Sequence, residues 1–462
     1  MSEVTIAFLG ATDTVTGSRF LITTPRSKVL VDCGLFQGLK SVRLKNWEPF
    51  PVDVSTIDAV LLTHAHLDHC GYLPLLSRQG YVNPIYSTKY TAELASVILH
   101  DSAHLQMEDA KYAAKKGYSK HEIPLALYNS DDADRAVKLF RDVPFRKPIQ
   151  ITEDVTATWY PSGHILGSAF LAVEAAGKRL LFTGDMGRNN HPLLSNPDAP
   201  PAIKFDAVLT ESTYGDRVHD AKPTDFADEI NAALKRGGSI LIPAFAVDRT
   251  EVILMALREL MEKKKIPLIP IYVDSPMALA ALNFYRSAIT EGAPEIREGV
   301  SDRWANQDPF DAGRLMQALT TEESKQINEI EESSIIISAS GMATGGRVVH
   351  HLEHMLPDPS NTVILVGYQA AGSRGRLLQE GIQDLKMHGK LVPVRAHISK
   401  VESFSVHADG DELLQWLKQI SKPGKAFVIH GEQEGQEAIA KRLIDELGWN
   451  AIIPKPTQVI SI

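Results

Sequence analysis

The segment Thr63-His64-Ala65-His66-Leu67-Asp68-His69 places four metal-binding side chains within six positions. His64 and His66, at i and i+2, can reach one divalent ion, while Asp68 and His69 can reach a second. Neutral imidazole nitrogen and carboxylate oxygen suit zinc or a similar ion. The two cysteines, Cys33 and Cys70, form no CxxC pair, so thiolate zinc is excluded and any metal falls to histidine and carboxylate. Two more segments end in a glycine followed by a ligand type: Pro161-Ser162-Gly163-His164 and Thr183-Gly184-Asp185. A glycine there lets backbone approach a metal closely. One such residue alone would be unremarkable; both, downstream of HxHxDH, point to a shared site.

Each of these ligands follows a short β-branched run that reads as a strand: Ala59–Leu62 before His64, Val155–Tyr160 before His164, Arg179–Phe182 before Asp185. Further strands are expected at Val4–Leu9, Arg19–Thr23, Lys28–Asp32, Phe170–Glu174 and Ala207–Thr210, with a long helix over Thr91–Lys115. From about residue 222 the rhythm becomes strand then helix: Ser239–Ile242 before Arg249–Lys263, Ile271–Val273 before Met277–Arg286, Ile335–Ser338 before Val348–Met355, Val363–Val366 before Arg374–Gln379. Such alternation predicts a parallel sheet and a second domain. The last stretch returns to a strand at Ala426–His430 and a helix at Glu434–Leu447.

HxHxDH, the Gly-His of PSGHILGS and the Gly-Asp of LFTGDMG resemble the metallo-β-lactamase superfamily, and Asp32 in VLVDCG resembles its first motif. The resemblance implies an αβ/βα sandwich with a two-zinc site on its edge. His64, His66 and His164 would then hold one Zn2+, Asp68 and His69 the other, and Asp185 would bridge them. Asp32 matches a position that orients a ligand. Glu211 in LTESTYG, His407 in SFSVHAD and His430 in FVIHGE look like motifs A, B and C of the β-CASP nucleases, which insert an α/β domain into that sandwich. The expected arrangement is therefore a first part of the metallo-β-lactamase domain over 1–208, a β-CASP domain over 209–395 and a completing part over 396–462.

A histidine at motif C is typical of the RNA-processing branch of that family, and His430 would complete the second metal's ligands. His407, hydrogen-bonded to Glu211, would be the general acid that protonates the leaving oxygen; His397 is its rival on sequence alone. The resemblance thus makes Asp68, Asp185, Glu211 and His407 the residues that carry the reaction. It implies a ribonuclease in which two zinc ions supply hydroxide from a shared water. Single-stranded RNA threaded between the domains would be cut to a 5′-phosphate and a 3′-hydroxyl. Glycine-rich segments such as VDSPMA and VGYQAAGSRGRLL look like those of bacterial and archaeal relatives of the cleavage and polyadenylation endonuclease. A DNA nuclease of the same fold and a non-catalytic RNA-processing subunit are the alternatives.

Ser340-Gly341-Met342-Ala343-Thr344-Gly345-Gly346-Arg347 lies between an expected strand and helix. Its amides and Arg347, with Arg374 nearby, are expected to bind phosphate. The spacing mimics a P-loop, but Arg347-Val348 replaces the Lys-Ser/Thr that an NTPase needs. His350, His351 and His354, on the following helix, read as surface or packing residues.

Bulk features bound these readings. The 462 residues carry 48 Lys and Arg against 57 Asp and Glu, a net charge of −9. That argues against a protein that coats nucleic acid through a global basic surface, so a positive seam along Arg347 and Arg374 is expected instead. No run reaches the roughly 18 apolar residues of a membrane span, and Met1-Ser2-Glu3 opens no secretory signal. A cytoplasmic protein without a membrane partner is expected. An exposed apolar patch on the closing helix could pair two chains as a homodimer.

Overall fold

Along Val155–Pro161 buried and half-buried residues alternate strictly, the period-two pattern of a strand whose one face meets a core. Around such strands the structure, a computed structural model describing residues 4–116, 124–219, 225–367, 369–370 and 372–462, builds two seven-stranded sheets. The first runs in the order Val459–Ser461, Thr5–Phe8, Phe20–Thr23, Lys28–Val31, Ala59–Leu61, Ile85–Ser87, Phe140–Asp142. The second runs Ala451–Ile452, Lys425–Val428, Ala207–Thr210, Lys178–Phe182, Ala169–Ala175, Val155–Pro161, Ile149–Gln150. Strands from the last sixty residues thus close one edge of each sheet.

Between the sheets, Ile6, Phe8, Ile22 and Val31 meet Trp159, Leu171, Phe182 and Phe427 in one buried cluster. The Trp159 indole, fully buried, donates to the Leu62 carbonyl at 3.0 Å, so its one polar atom is satisfied inside the core. On the outer face of the second sheet, Phe170, Val208 and Val428 pack against Leu414, Trp416 and Leu443 of the helices Gly410–Leu417 and Gln433–Leu447. Helices Leu73–Arg78, Lys89–Lys116 and Ser130–Val137 pack together beside the first sheet. The result is the helix–sheet–sheet–helix sandwich expected, and it accounts for one compact unit, Met1–Val218 with His407–Ile462.

His219–Val406 form a second unit. Its main sheet has six strands, all parallel, in the order Leu315–Gln317, Ile271–Asp274, Ile335–Ser338, Ile240–Pro243, Thr362–Leu365, His397–Lys400. Ile240–Pro243, Ile335–Ser338 and Thr362–Leu365 are buried throughout, as a parallel sheet covered on both faces requires. The two units divide at 218/219 and 406/407, where the motifs placed the boundaries at 208/209 and 395/396. Among the described residues no helix is long and apolar enough to cross a membrane.

Candidate metal centre

Ligand types gather where strands of the first unit end. Asp32 follows Lys28–Val31, His64 and His66 follow Ala59–Leu61, and Asp68 and His69 stand on the one-turn helix Leu67–Cys70. His164, Asp185, Glu211 and His430 come after the second sheet's strands Val155–Pro161, Lys178–Phe182, Ala207–Thr210 and Lys425–Val428. His407 is brought to the same edge by a bridge to Gly187. Strands carry the backbone to one rim, and the turns that follow aim the side chains.

Two turns show what this demands of the chain. A Cβ at Gly34 would lie 1.6 Å from the Asp68 carbonyl, so only glycine admits the close approach of the Asp32 turn to the Asp68–His69 helix. Asp32 and His430 themselves have φ of 57° and 49°, a left-handed conformation that costs a non-glycine residue on the order of 1 kcal/mol. Both are held there by backbone bonds, from Asp32 N to Leu61 O and from His430 N to Ala11 O.

Seven imidazoles and carboxylates then form two sets that share one residue. In the first, His64 Nε2 and His164 Nε2 each lie 3.2 Å from His66 Nδ1 and 3.6 Å from Asp185 Oδ2. In the second, His69 Nε2 and His430 Nε2 lie 3.2 and 3.5 Å from Asp185 Oδ1, and His430 Nε2 lies 3.8 Å from Asp68 Oδ2. A tetrahedron of ligands around zinc, with bonds of about 2.0–2.1 Å, has edges of about 3.3–3.4 Å. The spacing is therefore that of atoms grouped around ions. Asp185 Oδ1 is buried without a hydrogen-bond partner, and His164 Nδ1 likewise, among the described residues. Buried polar atoms left so are rare unless something else satisfies them. On these grounds the residues fit two zinc ions.

Their protonation suits that role. Burial pushes His64 and His164 well below the ordinary histidine range and His66 down to about 4, so these three are neutral near pH 7 with lone pairs to give. Burial also opposes charge on His69, but the carboxylates of Asp185 and Asp32 outweigh it and hold this ring well above the ordinary range. Asp185 is buried too, yet His430, His69 and His64 keep its carboxyl well below the usual range. Metal binding here must release the His69 proton.

The supporting contacts include residues that the motif reading passed over. Asp32 Oδ2 accepts from His69 Nδ1 at 2.8 Å, the carboxylate–histidine pair that fixes a metal-binding ring. Thr63 donates its amide to Asp32 Oδ1 at 2.8 Å, and its hydroxyl lies 3.0 Å from His64 Nδ1. Ser18 Oγ lies 2.9 Å from His430 Nδ1. Thr63 stands inside the THAHLDH run and could have been found there; Ser18, forty-five residues upstream of it, gave no local signal. Beside the ligands, His407 presents Nε2 to Asp185 Oδ2 at 3.9 Å and Nδ1 to Glu211 Oε2 at 3.5 Å, while Glu211 Oε1 accepts from the Met186 amide at 2.5 Å. His397 belongs to the second unit, as the exposed first residue of its edge strand His397–Lys400.

The expected phosphate loop is different. Arg347 does not stand free over Ser340–Gly346: its guanidinium donates to Asp274 Oδ1 at 2.7 Å and to the carbonyls of Ala318 and Leu319 at 2.9 and 2.8 Å. Arg374 Nη1 donates to the carbonyls of Ala343 and Thr344, Gly375 N to that of Met342, and Gln369 to that of Gly341. Both arginines hold this loop in place through these bonds. Within the loop the Arg347 guanidinium is paired with Asp274. His351 is buried, with Nε2 2.6 Å from Asp274 and Nδ1 2.8 Å from Asn328, a packing residue as expected; His350 stacks on His388 at the surface. On the closing helix, Ile439 and Leu443 face the core and Ile444 is exposed, and one exposed apolar side chain is ordinary for a surface.

Comparison with known proteins agrees with this geometry. Residues 13–239 match the metallo-beta-lactamase superfamily, 250–378 the Beta-Casp domain, and 391–454 the Zn-dependent metallo-hydrolase RNA specificity domain. Ribonuclease TTHA0252 of Thermus thermophilus is 35% identical over 94% of both chains. An RNase J-like protein of Methanocaldococcus jannaschii is 32% identical over 99% of this chain and 100% of its own. The transcription termination factor FttA of the same archaeon is 29% identical over 93% of this chain and 67% of its own. A crystal structure of a protein of unknown function from Enterococcus faecalis shares the fold over the full length of both chains, with a TM-score of 0.54 at 12% identity. The chain belongs to the β-CASP family of the metallo-β-lactamase superfamily.

Proposed function

We propose that this protein is a zinc-dependent ribonuclease that hydrolyses phosphodiester bonds of single-stranded RNA and binds two Zn2+ ions per chain. The observation that carries the reading is the division of one carboxylate between two ligand sets, Asp185 Oδ2 facing His64 and His164 while Oδ1 faces His69 and His430. A zinc pair in such a site lowers the pKa of water from 15.7 to about 7 and neutralises phosphate oxygens.

The chain's own residues do the rest. His64, His66 and His164 hold one ion; Asp68, His69 and His430 hold the other, with Asp32 fixing the His69 ring. His407, set between Asp185 and Glu211, is placed to give a proton to the leaving 3′ oxygen as the P–O bond breaks. Glu211, anchored by the Met186 amide, keeps that ring facing the reaction. The products are a 5′-phosphate and a 3′-hydroxyl. RNA as the substrate is supported by the RNA specificity domain matched over 391–454 and by the two relatives named as ribonucleases. A cytoplasmic location fits two buried, unbridged cysteines.

The test is cleavage of an end-labelled single-stranded RNA and a matched DNA by purified protein of measured zinc content. RNA should be cut and DNA left or cut more slowly; equal or preferential DNA cleavage favours the DNA nuclease.

A further inference from the structure

The short helix Lys40–Leu44 buries none of its residues. Around it Leu39, Leu44 and Trp47 are 50, 52 and 53% exposed, whereas the other four tryptophans, Trp159, Trp304, Trp416 and Trp449, are at most 7% exposed. Core packing does not explain this surface, and clustered apolar exposure of this kind marks an interaction site. Its charge says with what. Lys40, Arg43 and Lys45 fall between Gln37 and Trp47 with no acidic residue among them, in a chain whose net charge is −9. Lys45 faces Asp13 at 3.9 Å, while Lys40 and Arg43 are exposed.

The segment is also fixed to the metal centre. Cys33 N bonds His69 O and Leu35 N bonds Leu67 O, at 2.7 and 2.8 Å, on the helix that carries Asp68. Asn46 then clamps Phe36, accepting from its amide at 2.9 Å and donating to its carbonyl at 2.8 Å. The base of the segment is thus rigid against the ligands, and its remainder carries one exposed indole and two exposed cations within eight residues.

Resting on the ribonuclease reading, we infer that Leu39–Trp47 is the surface on which single-stranded RNA lies as it leaves the metal centre. A base stacks on Trp47, and Lys40 and Arg43 meet phosphates. An aromatic platform within a basic strip is how sequence-tolerant single-strand binding works. The same composition occurs in helices that lie on membranes, but those bury an extended apolar face, and this helix has five residues.

Because Trp47 is the one exposed tryptophan, its fluorescence reports on this surface alone. In zinc-loaded protein carrying His407→Ala, to slow turnover, a uridine 12-mer should quench emission saturably, and Trp47→Ala should abolish the change. In the otherwise native enzyme, Trp47→Ala should raise KM for RNA about fivefold or more, with Trp47→Phe recovering most of it. Lys40→Ala and Arg43→Ala should each lower the slope of log affinity against log salt by about 0.7. Hydrolysis of bis(p-nitrophenyl) phosphate should not change in any of these variants of the native enzyme. The surface is overturned if wild type cuts RNA and these variants cut it with the same KM and salt slope, or if emission responds to phosphatidylglycerol vesicles and not to RNA. If wild type hydrolyses bis(p-nitrophenyl) phosphate yet neither binds nor cuts RNA, the ribonuclease reading falls and takes the surface with it.

Discussion

The two units use the same residue types to opposite ends. Around Asp185 in the first, histidine nitrogens stand 3.2 to 3.6 Å from the carboxylate, and its Oδ1, though buried, has no hydrogen-bond partner among the described residues. Around Asp274 in the second, His351 and Ser324 are at 2.6 Å and Arg347 at 2.7 Å, each in hydrogen-bond geometry. One carboxylate is surrounded at the spacing of ligands; the other is neutralised by the protein itself. Asp274 is buried, yet bonds from His351, Ser324 and Arg347 keep its carboxyl below the usual range, which marks a charge the fold has satisfied. Distance and satisfaction, more than residue type, separate a site from a strut.

The contrast can be broken from either side, and Asp185→Ala should have the largest effect. It removes the carboxylate common to both ligand sets, so RNA cleavage should be abolished and zinc content should fall, while circular dichroism stays native. Retention of both ions would show that Asp185 does not join the sets. Next, His407→Ala should lower kcat roughly 10²- to 10⁴-fold, the span expected for a general acid, with both ions retained by metal analysis. Loss of zinc in that variant would move His407 among the ligands.

Asp274→Ala should act on stability. Removing one partner of a buried pair leaves Arg347 and His351 uncompensated, at about 3–5 kcal/mol, visible in urea unfolding, whereas zinc content should be unchanged. A still smaller effect is expected at Glu251, also in the second unit, where burial and the neighbouring Asp248 hold the carboxyl well above its usual range. A raised carboxyl favours the folded state only below its unfolded value near 4.5, and that advantage is lost as pH rises toward the folded value. Glu251→Gln should therefore raise Tm at pH 8 and leave it almost unchanged at pH 4; an equal gain at both would rule out ionisation as the cause.

The same contrast explains what could be read from the chain. At the metal edge the ligands sit directly after strands, so His64, His66, Asp68, His69, His164 and Asp185 were visible as strand-end residues, and their neighbours in space are fixed by sheet order. Strands such as Ala207–Thr210 and Ile335–Ser338 lie where β-branched periodicity put them, because burial on one or both faces writes that pattern locally. The partner of Arg347 is not legible in the sequence because Asp274 lies 73 residues upstream on a neighbouring strand, and no local pattern announces which acid meets a loop arginine. Ser18 was missed for the same reason, its histidine partner being 412 residues away. The hairpin Asp384–Met387 with Lys390–Pro393 also went unread, since two short strands around His388-Gly389 carry little alternation.

In the proposed function two zinc ions, held by the ligand sets that meet at Asp185, would make the protein an RNA hydrolase. The most direct test is to titrate zinc into chelator-treated protein while following cleavage of an end-labelled single-stranded RNA. Cleavage should rise to a plateau at two equivalents, leaving 5′-phosphate ends. Intact RNA with two equivalents bound, or full cleavage with none, would contradict the account.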